Sequence, residues 1–161
     1  MSVHPPRLPT LAGRAWTFAD RLAAAEILPA RARAAPPADA ARLLFADLDA
    51  GLAARLAPGD VLVAGVALGH GAGGAAAAAA LAAAGFVAAV ATSFADGFDG
   101  ALVDAGVPAL VVDAPAVFRT GHRLRLDLEG GVVVNQSSGD RQPVRNLSDV
   151  VRARLLALLV P

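Results

Sequence analysis

The chain has 161 residues, 56% of them apolar, and no formal net charge, which suits one domain with a real core and gives no basic surplus to favour nucleic acid or an anionic membrane surface. All fourteen basic residues are arginine, and there is no cysteine; disulfides, thiolate catalysis, zinc–thiolate sites and any iron–sulfur cluster ligated by this chain are excluded. The opening M-S-V-H-P-P-R-L-P-T lacks the apolar core of a signal peptide, so a cytoplasmic protein is expected.

In chain order, residues 1–12 are expected to form a Pro-rich mobile leader before a single domain over residues 13–161. The alternation in G-R-A-W-T-F, residues 13–18, predicts a strand with Trp16 and Phe18 on one face. Over residues 20–35, Pro29 argues for a loop or helix boundary. A helix is expected from Ala38 through Leu48 with Asp39 as its N-cap. A-P-G-D, residues 57–60, is a turn that launches an apolar strand over residues 61–68.

Gly69 to Gly74 then form a glycine loop, and the alanine run that follows is a strong helix former, closed by Gly85 as a C′ residue. Residues 86–91 predict a second buried strand. Strand, glycine loop, helix and strand make a βαβ unit with parallel strands. No charged residue lies between Asp60 and Asp96, yet a membrane span is not expected, because seven interruptions from Gly65 to Gly85, six of them glycine, would leave backbone groups unsatisfied in lipid. A short helix over residues 96–105 and a third strand over residues 109–113 follow. Strict alternation in H-R-L-R-L-D-L-E-G-G-V-V-V-N predicts an antiparallel pair turning at Gly130 and Gly131, with Leu124, Leu126 and Leu128 inward. A final amphipathic helix is expected over residues 148–159, its apolar stripe Val151, Leu155, Leu158 and Leu159.

The candidate site is G-H-G-A-G-G. It fits G-x-G-x-x-G through Gly69, Gly71 and Gly74 in the strand–loop–helix context of a dinucleotide fingerprint, although no acid ends the second strand. Free N–H groups at the helix N-terminus suit a carboxylate or phosphate. His70 is the only ionisable group in the loop and has two readings: an acid/base or substrate contact, or a polar side chain on an exposed tip. Arg31 and Arg33 are either carboxylate ligands or solvated loop arginines; Ser93 is either a ligand donor or a helix cap. His4, His70 and His122 assemble into no metal set or Ser-His-Asp triad.

Taken together, G-R-A-W-T-F-A-D, I-L-P-A-R, P-G-D-V-L-V-A-G, the glycine loop, A-A-G-F-V-A-A-V-A-T-S-F-A and D-A-G-V-P resemble the small subunit of 3-isopropylmalate dehydratase, the swivel domain of the aconitase superfamily. The resemblance runs from Gly13 to Pro161 and implies an α/β fold, a three-layer β/β/α swivel domain with a central βαβ unit and a C-terminal antiparallel strand pair. It implies a leucine-biosynthesis hydro-lyase interconverting 2- and 3-isopropylmalate, a small hydroxy-dicarboxylate ligand, and a large-subunit partner that carries the 4Fe–4S cluster, with no cofactor on this chain, no nucleic acid and no membrane. It also places substrate contacts at loop positions Gly69, His70, Gly71, Ala72 and Gly73, and at Arg31.

The reactive side chains do not follow the resemblance. In the family the loop reads G-x-N-F-G-x-G-S-S-R-E-H, whose first serine takes the substrate proton while the next serine and the arginine hold its carboxylates. Here the positions after Gly71 are Ala72, Gly73, Gly74, Ala75 and Ala76. The family's D-T-D is Ala23, Ala24 and Ala25, its lysine before S-F-A is Thr92, and the arginine after S-F-A is Asp96. Three readings stand: a small subunit that keeps the fold and docks but is catalytically impaired, a hydro-lyase for another hydroxy acid with His70 as base, or a non-catalytic binding module.

Overall fold

The computed structural model describes residues 6–160; the first five residues of the expected leader lie outside them. One mixed sheet of seven strands organises the molecule: β1 (Thr10–Thr17), β2 (Val61–Val63), β3 (Ala88–Ala91), β4 (Ala109–Val111), β5 (Arg123–Asp127), β6 (Val132–Asn135) and β7 (Arg141–Pro143), in the order β4-β3-β2-β1-β5-β6-β7. The four strands β1 to β4 run parallel, and β5 pairs antiparallel with β1. β1 therefore belongs to both halves. It joins a parallel, helix-covered half to an antiparallel meander.

Among the described residues five α-helices complete the fold: α1 (Ala24–Ile27), α2 (Pro37–Ala40), α3 (Gly74–Ala83), α4 (Phe98–Asp104) and α5 (Asp149–Leu159). Alternation along the strands sends side chains to two separate cores. Trp16, Leu62, Ala89 and Ala91 meet Ala77, Ala78 and Leu81 of α3 and Leu102 of α4 on one face. Ala15, Val61, Val63, Val90, Leu110, Leu124, Leu126 and Val133 meet Leu155 of α5 on the other. On the first face Ala77, Ala78, Ala80 and Leu81 are fully buried, so an alanine surface lets α3 pack beside α4, α2 and α1. Phe18 and Phe45 stack with ring centroids 4.5 Å apart at the rim of this core.

The expected parallel βαβ unit is present, as is the antiparallel pair with Leu124, Leu126 and Leu128 buried. Several boundaries differ from expectation. β1 starts at Thr10, and Leu8 before it is buried against the second core, so residues 8–12 are built into the fold. The strand expected over residues 61–68 stops at Val63. The Asp20 carboxylate accepts the Val66 N–H at 2.9 Å and its Cγ lies 2.7 Å from where a Cβ on Gly65 would stand, which turns the chain away from the sheet. Asp39 lies inside α2 and caps nothing. The helix opens after Pro36 with Pro37 as its first residue, because the fixed φ of proline already suits that position. In α5, Ser148 is the N-cap and accepts from the Val151 N–H. Leu158, assigned to the buried stripe by its spacing, is 44% exposed; Leu156 packs on the core in its place. Among the described residues no helix is long and apolar enough to cross a membrane.

Candidate functional site

The glycine loop leaves the carboxyl ends of the parallel strands, where α/β sheets ordinarily hold ligands. Its path needs glycine. Gly69, Gly71 and Gly73 have φ of 85°, 87° and 94°, backbone that side chains other than those of glycine, asparagine and aspartate rarely adopt. At Gly69 there is a second reason, since a Cβ there would stand 2.6 Å from Cδ1 of Phe98, the first residue of α4.

Three neighbouring segments hold the loop in place. The Gly69 N–H donates to the Leu22 carbonyl at 2.8 Å and the Ala24 N–H to the His70 carbonyl at 2.9 Å, which brings Ala23, Ala24 and Ala25 alongside it. The Leu68 N–H donates to the Ser93 carbonyl at 3.1 Å, and the Ala95 N–H to the Leu68 carbonyl at 2.9 Å, tying in the segment after β3. Arg33 reaches over from the turn after α1 and donates from Nη2 to the Ala72 carbonyl at 3.1 Å. Five alanines, Ala23, Ala24, Ala25, Ala72 and Ala75, thus lie in the loop or in the segments beside it, at positions where the resemblance puts polar side chains.

His70 is half-buried, and its Nε2 lies 2.8 Å from the Arg21 carbonyl oxygen. A carbonyl only accepts, so Nε2 carries the proton and, in the neutral ring, Nδ1 holds the lone pair. Among the described residues no carboxylate is hydrogen-bonded to the ring. Arg31, expected at the loop, instead pairs with Asp47 at 2.9 Å with both side chains more than half exposed. The structure brings Arg33 to the loop and leaves Arg31 away from it. Their spacing of two residues gives the reason: on a tight turn, here the 3₁₀ turn Ala30–Ala32, such neighbours point in different directions. Ser93 does not cap α4, whose N-cap is Gly97; its hydroxyl accepts the Ala67 N–H at 2.9 Å and steadies that residue at a φ of 55°.

Beside the loop, a cleft of about 550 Å³ opens at the same edge of the sheet, lined among others by Thr17, Asp20, Gly65, Thr92, Phe118 and Arg119. Its lining stops short of residues 69–73. Thr92 was singled out only because the family carries lysine there, and no local pattern marked the cleft. Among the described residues no three His, Asp or Glu side chains gather as a metal site, and without cysteine the chain has no thiolate donors for an iron–sulfur cluster.

Chemistry at the loop is therefore limited to backbone N–H groups at the start of α3, one imidazole and one guanidinium. The first of these can hold an anion, the second can move a proton, and the third can face a carboxylate. Nothing else in residues 69–76 is ionisable.

No protein-family model matches the chain. It is 33% identical over 144 residues to a 3-isopropylmalate dehydratase small subunit of Archaeoglobus fulgidus, covering 88% of this chain and 86% of that one. It is 36% identical over 140 residues to the 3-isopropylmalate dehydratase small subunit of Pyrobaculum neutrophilum, covering 84% and 86%. In structure it superposes on the crystal structure of 3-isopropylmalate dehydratase from Methanocaldococcus jannaschii with a TM-score of 0.86 at 24% identity, over 93% of this chain and 90% of that one. Relatives this similar over most of both chains, together with one shared fold, place the chain in the 3-isopropylmalate dehydratase small-subunit family.

Proposed function

We propose that this chain is the scaffold half of a two-subunit hydro-lyase of the 3-isopropylmalate dehydratase type, docking on a large subunit that carries a 4Fe–4S cluster, and that its own loop no longer performs the proton transfer. A single observation carries this reading. The loop keeps left-handed glycines at 69, 71 and 73, while positions 72 to 76, where the resemblance puts the reactive hydroxyl, guanidinium, carboxylate and imidazole, hold only Ala and Gly. Removing a positioned general base costs about 10²- to 10⁴-fold in rate, and the loss of a bidentate arginine clamp weakens a dicarboxylate further.

A second reading has its own observation. With Nε2 committed to the Arg21 carbonyl, the neutral His70 ring keeps Nδ1 as a base, which would suit a diverged hydro-lyase acting on another small hydroxy acid.

The test is co-expression with an iron–sulfur large subunit of the family, followed by size exclusion and an assay on 2-isopropylmalate. Co-elution with turnover at least about 100-fold below that of an intact pair is the expected result. Turnover near that of an intact pair overturns the proposal, as does failure to co-elute. Residual turnover on any hydroxy acid that His70→Ala abolishes, with co-elution retained, moves the choice to the second reading.

A further inference from the structure

Arg33 has one feature that its hydrogen bond to the loop does not explain. Its guanidinium lies against Gly73: a Cβ built on that glycine would stand 2.9 Å from Cζ and 3.1 Å from Nη2 of Arg33, and closer still to Nε. The Nε itself is buried and has no hydrogen-bond partner among the described residues. Leaving a buried N–H of a charged group without an acceptor is unfavourable, so this placement is maintained by the Nη2 bond to the Ala72 carbonyl and by packing against the bare backbone at residue 73.

The backbone supports the same arrangement from both sides. Arg33 is anchored through its own N–H, which donates to the Ala30 carbonyl at 3.2 Å, at the end of the 3₁₀ turn Ala30–Ala32. Gly73 is the N-cap of α3, and its carbonyl accepts the Ala77 N–H at 3.0 Å. The backbone at 73 is fixed, whereas the guanidinium ends a flexible side chain and shifts at the cost of its Nη2 bond to the Ala72 carbonyl.

We propose that Arg33 is the positioning residue of the glycine loop: its guanidinium fills the volume that a side chain at position 73 would require. Gly73 and Arg33 are then one coupled pair, and the loop accepts a reactive side chain at 73 only when the guanidinium shifts aside from its contact with the backbone there. The emptiness of the loop is a packed state with its own stabilising contact, and a single substitution at 73 does not reopen it. The inference does not depend on whether the chain turns over a substrate.

A double-mutant cycle separates this contact from the left-handed backbone, because the backbone strain at 73 is the same whatever stands at 33. Gly73→Ala is made in the wild-type and in an Arg33→Ala background, and thermal unfolding is followed. The expected result is a Tm loss from Gly73→Ala that is roughly 4–8 °C larger with Arg33 present than without it. Equal losses in the two backgrounds, or failure to fold in both, mean that backbone strain alone demands glycine and the coupling is refuted.

A second readout reports charge rather than stability. The chain has no cysteine, so Gly73→Cys introduces a single thiol whose alkylation can be followed against pH. Beside the guanidinium, which the new side chain pushes aside without removing it from the loop, the thiol should react at lower pH than an ordinary thiol of pKa about 8.5, and Arg33→Leu in the same variant should return the profile to that range, whereas Arg33→Lys should retain part of the shift. A profile indifferent to residue 33 overturns the proposal.

Discussion

Asp60 shows most directly how one residue can organise its surroundings. It is buried, and a single oxygen, Oδ2, accepts from the Trp16 indole at 2.7 Å, from the Ala57 N–H at 2.8 Å and from Arg14 at 3.3 Å. Arg14 also lies over the Trp16 ring, with Cζ 4.6 Å from the centroid. The carboxylate thus closes the 57–60 turn and fixes the indole in the same step. Asp60→Ala leaves the buried Trp16 indole N–H without an acceptor and frees the partly buried Ala57 N–H, and should cost about 1–3 kcal/mol in a denaturant titration. Asp60→Asn keeps an oxygen for those donors and should recover at least half of that loss; equal losses for the two variants would show that the charge, not the acceptor, matters. The turn itself was legible in A-P-G-D, since proline and glycine punctuate a chain locally. The acceptor role of Asp60 was not, because it is set by Trp16, forty-four residues away.

At the scale of elements, the glycine loop and α3 read clearly and their neighbours did not. Six alanines after a glycine cluster can only be a helix start, and Gly85, with φ of 93°, ends that helix where its residue type says it should. The expectation that β2 reaches Leu68 rests on Ala64, Val66, Ala67 and Leu68 continuing the apolar run; a composition signal cannot see the Asp20 carboxylate that bends the chain there. β7 was missed altogether: R-Q-P carries a proline and no apolar alternation, and it pairs only as the sheet's last strand, against β6, where an unpaired edge tolerates it. The candidate site suffered the same limit, since the choice between Arg31 and Arg33 depends on a turn whose orientation comes from tertiary contacts. The alanine face of α3 leads to a prediction that belongs to the element. Ala80 is fully buried in the first core, where nothing on the buried face of α3 exceeds a methyl group except Leu81. Ala80→Leu should therefore destabilise by about 1–3 kcal/mol through overpacking, although it improves no polar contact and loses little helix propensity. A neutral or stabilising effect in chemical denaturation would mean that the first core has slack around α3.

The whole molecule depends on β1. It is the one strand with a parallel neighbour on one side, β2, and an antiparallel neighbour on the other, β5, and its side chains divide between the two cores, Trp16 entering the first and Ala15 the second. If the halves were separable, damage to the core beneath α5 would leave the helix-covered half with its own transition. Sharing a central strand argues otherwise, because β1 cannot lose the β5 ladder without leaving its edge away from β2 unpaired. Leu155 offers the test: it is 1% exposed in the second core, on the face opposite the only tryptophan. Leu155→Ala removes buried methyl groups and should cost about 2–5 kcal/mol, which for a chain of this size is a Tm loss of roughly 6–12 °C. Trp16 fluorescence reports the first core and far-UV circular dichroism reports the whole sheet. The two transitions should move down together by the same amount in Leu155→Ala, since unfolding passes through β1. A fluorescence transition that stays in place while the dichroism transition falls would show two units folding independently, with the glycine loop held by the helix-covered half alone.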